Sequence, residues 1–276
     1  MSDHTCGTLY VVGTPIGNLG DFSPRAVETL QSVDFIAAED TRVTKKLLTH
    51  FEIHKPLTSY YEHNKVQKGP EILGRILSGE SCAIVTDAGM PAISDPGQDL
   101  VDQALNEDIP VVAIPGPTAF ATALALSGLD SRRFTFEGFL NVEKRKRKEQ
   151  LQFLATLPCT ILLYEAPHKL SATLRDLLDA LGDRQLVIVR ELTKIHEEVI
   201  RTTLQAAVED YPNNELKGEL VLVLEGARPN VEEVSLEEAV ARARAYVEAG
   251  MPKNNAAKMA ARDTGRKKNE IYRELL

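Results

Sequence analysis

Residues 81–97 read SCAIVTDAGMPAISDPG. The first six, SCAIVT, carry no charge and hold small and β-branched side chains, which predicts a buried strand. The twelve positions 86–97, which begin at the last of these six, contain two Gly, two Pro and two Asp, with Ala, Met and Ile set between them. A plain surface turn rarely needs that much punctuation. From Pro96 to Asn106 a helical pattern takes over. A strand that runs through a Gly/Pro loop into a helix is the repeating unit of an α/β fold, and such loops lie where open sheets bind ligands.

Read outward, the same unit recurs. LYVV (9–12), DFIAA (34–38) and PVVAI (110–114) are further uninterrupted apolar runs, as expected of parallel strands covered on both faces. Helices are predicted from Ser23-Pro24 through Ser32, over Thr41 to His50 and over Lys65 to Ser78. This rhythm implies a mostly parallel sheet with right-handed crossovers. A second set follows, with strands at RFTFEGF (133–139), CTILLYE (159–165), QLVIVREL (185–192), EVIRTTL (198–204) and ELVLVLEG (219–226). Helices fit Lys144–Thr156, His168–Leu181 and Gln205–Tyr211. Strands here follow one another more directly, so part of this sheet should be antiparallel. After Gly226 the chain turns polar (ARPNVEEVS), and Ser235 opens a helix with Glu238 at the capping-box position. Two short basic helices come last. The expected division is 1–118, 119–228 and 229–276.

The 276 residues suffice for two domains with real cores. No stretch of 18 apolar residues occurs, so no membrane span is predicted. MSDHTCGTLYVV lacks a basic start, which argues against a signal peptide. Cys6, Cys82 and Cys159 are scattered and odd in number, as in a reducing cytoplasm. The six His are dispersed, so no metal site is expected. A net charge of −8 argues against indiscriminate coating of nucleic acid, although local patches remain. Residues 144–148 are Lys-Arg-Lys-Arg-Lys, and from Met251 to Leu276 seven cations oppose three anions.

GTPIGN (13–18) follows the first strand and PGPTA (115–119) the fourth. With the loop at 86–97, they should meet on one rim and hold a small molecule largely by main chain. A dinucleotide is disfavoured: GTPIGNLG has Pro15 where the second glycine of G-x-G-x-x-G belongs, although Asp34 and Glu39 could mimic a ribose anchor. No G-x-x-x-x-G-K-[ST] occurs, which excludes a P-loop.

Seven blocks appear in order: GTPIGNLGD, AAEDTR (37–42), SDPG within DAGMPAISDPG, IPGPTA (114–119), YEAPHK (164–169), RELTKIHE (190–197) and KGELVLVLEG (217–226). Together they resemble the family of ribosomal RNA small subunit methyltransferase I, within the tetrapyrrole-methylase superfamily. The likeness runs from about Leu9 to Gly226, and the basic tail resembles that family's helical module. The resemblance implies two α/β domains with S-adenosylmethionine in the cleft between them, plus a small C-terminal helical module. It implies methyl transfer to the ribose 2′-oxygen of a cytidine near the decoding centre of 16S ribosomal RNA, and a homodimer. It places Pro15, Ile16, Asp87, Ala88, Met90, Ile93, Thr118, Ala119, Tyr164, Glu165 and Ala166 around the cofactor, with Leu204 and Leu220 as weaker placements.

A 2′-hydroxyl is a poor nucleophile, so a base would help. Glu39 or Asp40 could take the proton and Arg42 hold a phosphate; equally, Asp40 or Thr41 could cap the next helix while Glu39 pairs with Arg42. His63, in YYEHNK (60–65), is a second candidate base, and Tyr60 and Tyr61 could stack on a flipped nucleobase or simply start a helix half-buried. His168 more often orients a turn. Arg190, with Glu191, Lys194 and His196, is either an RNA-facing ridge or a charged strand end. Lys144, Arg145, Lys146, Arg147 and Lys148 could grip phosphates, as could Lys267 and Lys268 in a tail shaped like a helix-turn-helix. The expected substrate is ribosomal RNA in the assembled 30S subunit. The rivals are a methylase of the same superfamily acting on a tetrapyrrole or on diphthine, a nicotinamide oxidoreductase, and a non-enzymatic RNA-binding module.

Overall fold

The computed structural model describes residues 6–227 and 235–276. The 228/229 division and the opening MSDHT lie outside them. Two compact units emerge, Met1–Gly226 and Ala227–Leu276.

The first unit contains two five-stranded sheets. The first is formed by β1 (Leu9–Val12), β2 (Phe35–Ala38), β3 (Leu57–Ser59), β4 (Cys82–Val85) and β5 (Val111–Ile114), all parallel in the order β3-β2-β4-β1-β5. Side chains alternate between the two faces, as a two-residue period requires. Val12, Ile36, Ala38 and Val85 pack under α1 (Pro24–Ser32) and α2 (Thr41–His50) through Ala26, Leu30 and Leu48. Leu9, Val11, Phe35 and Ile84 pack under α3 (Lys65–Leu77) and α4 (Gly97–Asn106) through Ile72, Ile76, Leu100 and Ala104. The helix after β1 therefore lies on one face and the helix after β4 on the other, although the two strands are neighbours. This is a topological switch point, and the loops at 13–18 and 86–97 leave the sheet there.

The second sheet has the order β6-β7-β10-β8-β9. Its strands are β6 (Phe134–Phe139), β7 (Thr160–Glu165), β8 (Gln185–Arg190), β9 (Glu198–Thr203) and β10 (Leu220–Leu224). Only the β6–β7 pair is parallel; the other three are antiparallel. One face is covered by α6 (Lys144–Thr156), α7 (Leu170–Leu181) and α8 (Leu204–Asp210), through a leucine-rich layer that includes Leu154, Leu174, Leu177 and Leu204. The opposite face, with Leu162, Val187, Val189 and Val221, meets Leu124 of α5 (Ala119–Ser127) and Ile16 of the loop after β1.

Two elements depart from the sequence reading. β3 has only three residues, too few for a periodic signal. α5 occupies the stretch read as a boundary, because AFATALALS is apolar on every side and has no helical stripe.

The second unit has α9 (Leu236–Glu248), α10 (Lys253–Thr264) and α11 (Lys268–Arg273). Ser235 caps α9 by accepting the Glu238 N–H at 3.0 Å. Ala239, Ala243, Ala257, Ala260 and Ile271 are its buried core. Among the described residues, no helix is long and apolar enough to cross a membrane.

Candidate functional site

The three Gly/Pro loops converge. A Cβ on Gly13 would stand 2.7 Å from the Gly116 Cα and 2.8 Å from the Met90 Sδ, an approach that only bare backbone allows. Thr14 and Gly89 form an antiparallel bridge, each N–H donating to the other's carbonyl at 2.9 and 3.2 Å. The Thr14 hydroxyl adds a bond to the Thr86 carbonyl at 3.1 Å. Within the longest loop Ala92 and Ser94 hold φ of 67° and 64°. Such values strain side-chain-bearing residues and need outside support. Asp95 gives it, accepting the Ala92 and Gly97 N–H groups at 2.8 Å each, while burial pushes its carboxyl above the usual range.

The facing wall comes from the second sheet and is built of side chains. The Tyr164 oxygen accepts the Phe120 N–H at 3.3 Å, and burial raises its phenol. Glu165 is 5% exposed. One of its oxygens accepts the Ala166 N–H at 2.7 Å and the other the Thr173 hydroxyl at 2.5 Å. Behind Thr173 stands Arg147, which donates to its Oγ1 at 3.0 Å and to Asp176 at 2.6 Å. Phe136 meets Tyr164 at 4.9 Å between ring centres, and Phe139 meets it from the other side at 5.7 Å. The register of β6 against β7 slips between Phe136 and Phe139, where Gly138 takes φ 63°.

Between these walls lies a cavity of about 350 Å³, the size of a small-molecule site. Of the residues placed around a cofactor, Ile16, Ala88, Met90, Ile93, Thr118, Ala119, Tyr164, Glu165, Ala166 and Leu220 line it. Gly89, Phe139, Pro167, Val189, Leu192, Glu219 and Val221 complete the lining without having been singled out. Phe139, Val189 and Val221 sit on strands, where a lining residue and a core residue look alike in sequence. Pro15 and Asp87 stand outside the lining. Leu204 is a correction: it opens α8, is fully buried, and packs on the opposite face of the second sheet.

The acid–base candidates also stand outside the cavity. Asp40 caps α2, accepting the Arg42 N–H at 2.8 Å and pairing with its guanidinium at 2.6 Å. These bonds hold its carboxyl down at about 2, far too low for a base near neutrality. Glu39 accepts the Thr86 hydroxyl at 2.6 Å instead of pairing with Arg42. His63 is exposed and lies edge-on to Tyr61 at 6.3 Å. Tyr60 is 1% exposed and belongs to the core of the first sheet, so it offers no platform to a base.

The basic residues separate by task. Arg147 is turned inward, as described, and is a support of Glu165 rather than a phosphate contact. Lys144, Arg145, Lys146 and Lys148 are exposed, with Arg145 paired to Glu149 and Lys146 to Glu143. Arg190 is bound to Glu198 at 3.0 Å and to the Lys217 carbonyl at 3.2 Å, which makes it a strand-end brace. Arg42 is paired yet exposed. In the second unit Lys267 and Lys268 border a shallow hollow with Arg273.

The arrangement of loops and walls has known counterparts. Residues 8–208 match the family model described as Tetrapyrrole (Corrin/Porphyrin) Methylases. A ribosomal RNA small subunit methyltransferase I of Synechocystis sp. is 48% identical, covering 96% of each chain. Its counterpart in Bacillus subtilis is 45% identical over 96% of this chain and 93% of its own. Among solved structures, uroporphyrin III C-methyl transferase from Thermus thermophilus shares the fold at a TM-score of 0.57 and 18% identity, covering 79% of this chain and 97% of its own. The family match over residues 8–208 and the near full-length likeness to curated relatives lead to one conclusion: this chain belongs to the tetrapyrrole methylases, in the family of ribosomal RNA small subunit methyltransferase I.

Proposed function

We propose that this chain is an S-adenosylmethionine-dependent methyltransferase that methylates the ribose 2′-oxygen of a cytidine near the decoding centre of small-subunit (16S) ribosomal RNA. The carrying observation is the reach of the likeness. Relatives bearing that name match 96% of the chain, well beyond the methylase core at residues 8–208 and into the basic helices at its end.

The cleft suits this donor. Its lining holds two carboxylates, Glu165 and Glu219, and no Lys, Arg or His, among apolar side chains. A sulfonium cation is at home there, whereas a polycarboxylate tetrapyrrole would meet repulsion. When bound, S-adenosylmethionine supplies a methyl group on positively charged sulfur, open to in-line attack by the acceptor oxygen.

The protein's own task is placement and exclusion of water. Ile16, Met90, Ile93 and Leu192 shield the reacting atoms, and the braced loops hold their backbone in place before any ligand arrives. Glu39 is the candidate base nearest in the chain to the rim of the first sheet; it accepts one hydrogen bond from Thr86 and stands outside the cavity lining, so it would act on an acceptor held at the rim. Lys144, Lys148 and Arg42, with Lys267 and Lys268, contact phosphates outside the cavity. The acceptor is the assembled 30S subunit, the enzyme works as a homodimer, and its compartment is the cytoplasm.

The test uses the purified chain, tritium-labelled S-adenosylmethionine and unmodified small subunits, with a precorrin-type acceptor in parallel. Label at a single RNA position that resists alkaline cleavage is the expected result. Label in the tetrapyrrole alone would overturn the RNA reading.

A further inference from the structure

Phe139 is an anomaly. It is 57% exposed, yet it lines the mouth of the cavity and belongs to no core cluster. An exposed aromatic ring is usually free to swing, but this one leans on a row of packed rings. Its ring packs edge-on against Tyr164 at 5.7 Å, and Tyr164 is in turn held edge-on by Phe136 at 4.9 Å. Phe136 stacks on Phe120 at 4.3 Å, so the chain of rings ends in α5. The slip in β6 that precedes Phe139 redirects the strand at this residue. Gly138 supports that slip with φ 63°, and a Cβ there would stand 2.7 Å from the Ser94 Oγ of the facing loop. The exposed start of α6, with Lys144 and Lys148, follows within ten residues.

We infer that Phe139 is the platform on which the acceptor's nucleobase stacks, with its ribose turned into the cleft and its phosphates left outside among the cations of α6. The inference rests on the ribosomal RNA reading and names a specificity determinant for it. The physical reason is direct. A base taken out of a helix loses its stacking and needs a π-face in return, and single-stranded RNA sites supply one with an aromatic side chain. Phe139 presents such a face already oriented, so little rotamer entropy is lost on binding. The lining carries no cation, so base and sugar can enter but phosphate is kept at the mouth. Tyr61 is also exposed, at 40%, but it does not line this cavity.

The sequence contains no tryptophan, which makes a clean optical test possible. Phe139→Trp introduces a single indole at the proposed platform, and stacking by a base quenches its emission. Small subunits or a cognate RNA fragment are expected to quench it, and S-adenosylmethionine alone to leave it unchanged. In parallel, Phe139→Leu keeps an apolar side chain but removes the π-face. It should raise KM for the RNA by roughly tenfold, within what stacking is worth per base, a larger loss than any in donor affinity by calorimetry, and Phe139→Tyr restores KM. Quenching by the donor alone would assign the ring to the cofactor and overturn the inference. So would emission that changes with protein concentration alone, which would place the ring between two copies of the chain. If RNA binds and is methylated but the indole is not quenched, the platform falls and the RNA reading stands. If the unaltered chain neither binds nor labels RNA, both fall.

Discussion

The two walls of the cleft are made of different material. The wall from the first sheet is main chain, three loops whose glycines touch and whose carbonyls and amides bind one another. The wall from the second sheet is side chain: three aromatic rings, a buried glutamate and the threonine and arginine that hold it. A backbone wall fixes position and tolerates almost no substitution where loops touch. A side-chain wall carries chemical identity, and its parts can be altered one at a time.

That contrast sets the order of expected effects. The largest comes from Gly116→Ala, because a Cβ there would stand 2.8 Å from the Gly13 Cα and 2.9 Å from its carbonyl carbon, both backbone atoms that cannot rotate away. Overpacking of this kind costs about 1–3 kcal/mol of stability. Separated loops should weaken donor binding by at least about tenfold, a loss of roughly 1.4 kcal/mol. Thermal unfolding and donor calorimetry read both, and a silent Gly116→Ala would break the picture of a rigid main-chain wall.

Next in size is a pair within one basic run. Arg147→Ala should lower stability by about 1–2 kcal/mol, since it strips partners from Thr173 and Asp176. Lys148→Ala should leave thermal unfolding unchanged and reduce the slope of RNA binding against salt by about one. A reversed outcome would return Arg147 to the phosphate-contacting set.

The smallest effect is a matter of pH at the outer edge of the backbone wall. Asp40 donates its N–H to the Asp87 carboxylate at 3.1 Å, yet the two acids are driven in opposite directions. Arg42 holds Asp40 at about 2, against an ordinary value of 3.8, so its stabilisation is complete above that value and is lost as pH falls through about 2. Burial raises Asp87, so the folded chain binds that proton more readily than the unfolded one; the penalty of its charged form fades as pH falls. Carboxyl titration by NMR should show Asp40 moving back toward 3.8 in Arg42→Ala, with Asp87 still high.

The same contrast explains what could be read in the sequence. The backbone wall was legible because Gly and Pro are rare enough to mark it: GTPIGN, TDAGMPAISDPG and PGPTA all fall at strand ends and all meet. The side-chain wall was only partly legible. Tyr164 and Glu165 stood out through YEAPHK, but Phe139, Val189 and Val221 sit in strands, and Leu192 just after one, where a lining residue looks like any other apolar residue. Leu204 was a weaker placement implied by the family resemblance, and α8 carries it to the far face. For Tyr60 the sequence left open a platform for a flipped nucleobase or a half-buried helix start. Its position just after β3 buries it, and β3 was too short to predict. The five cations of residues 144–148 looked equivalent until α6 turned one of them inward.

The paired bonds between Thr14 and Gly89 carry a consequence in time. Each residue is donor and acceptor to the other, so parting the two loops at this point costs both bonds. Opening of this rim is therefore concerted, and the two amides should meet solvent at a common rate. Any molecule lodged beneath the loops inherits that clock, so its residence is limited by a coupled opening of two distant stretches of chain.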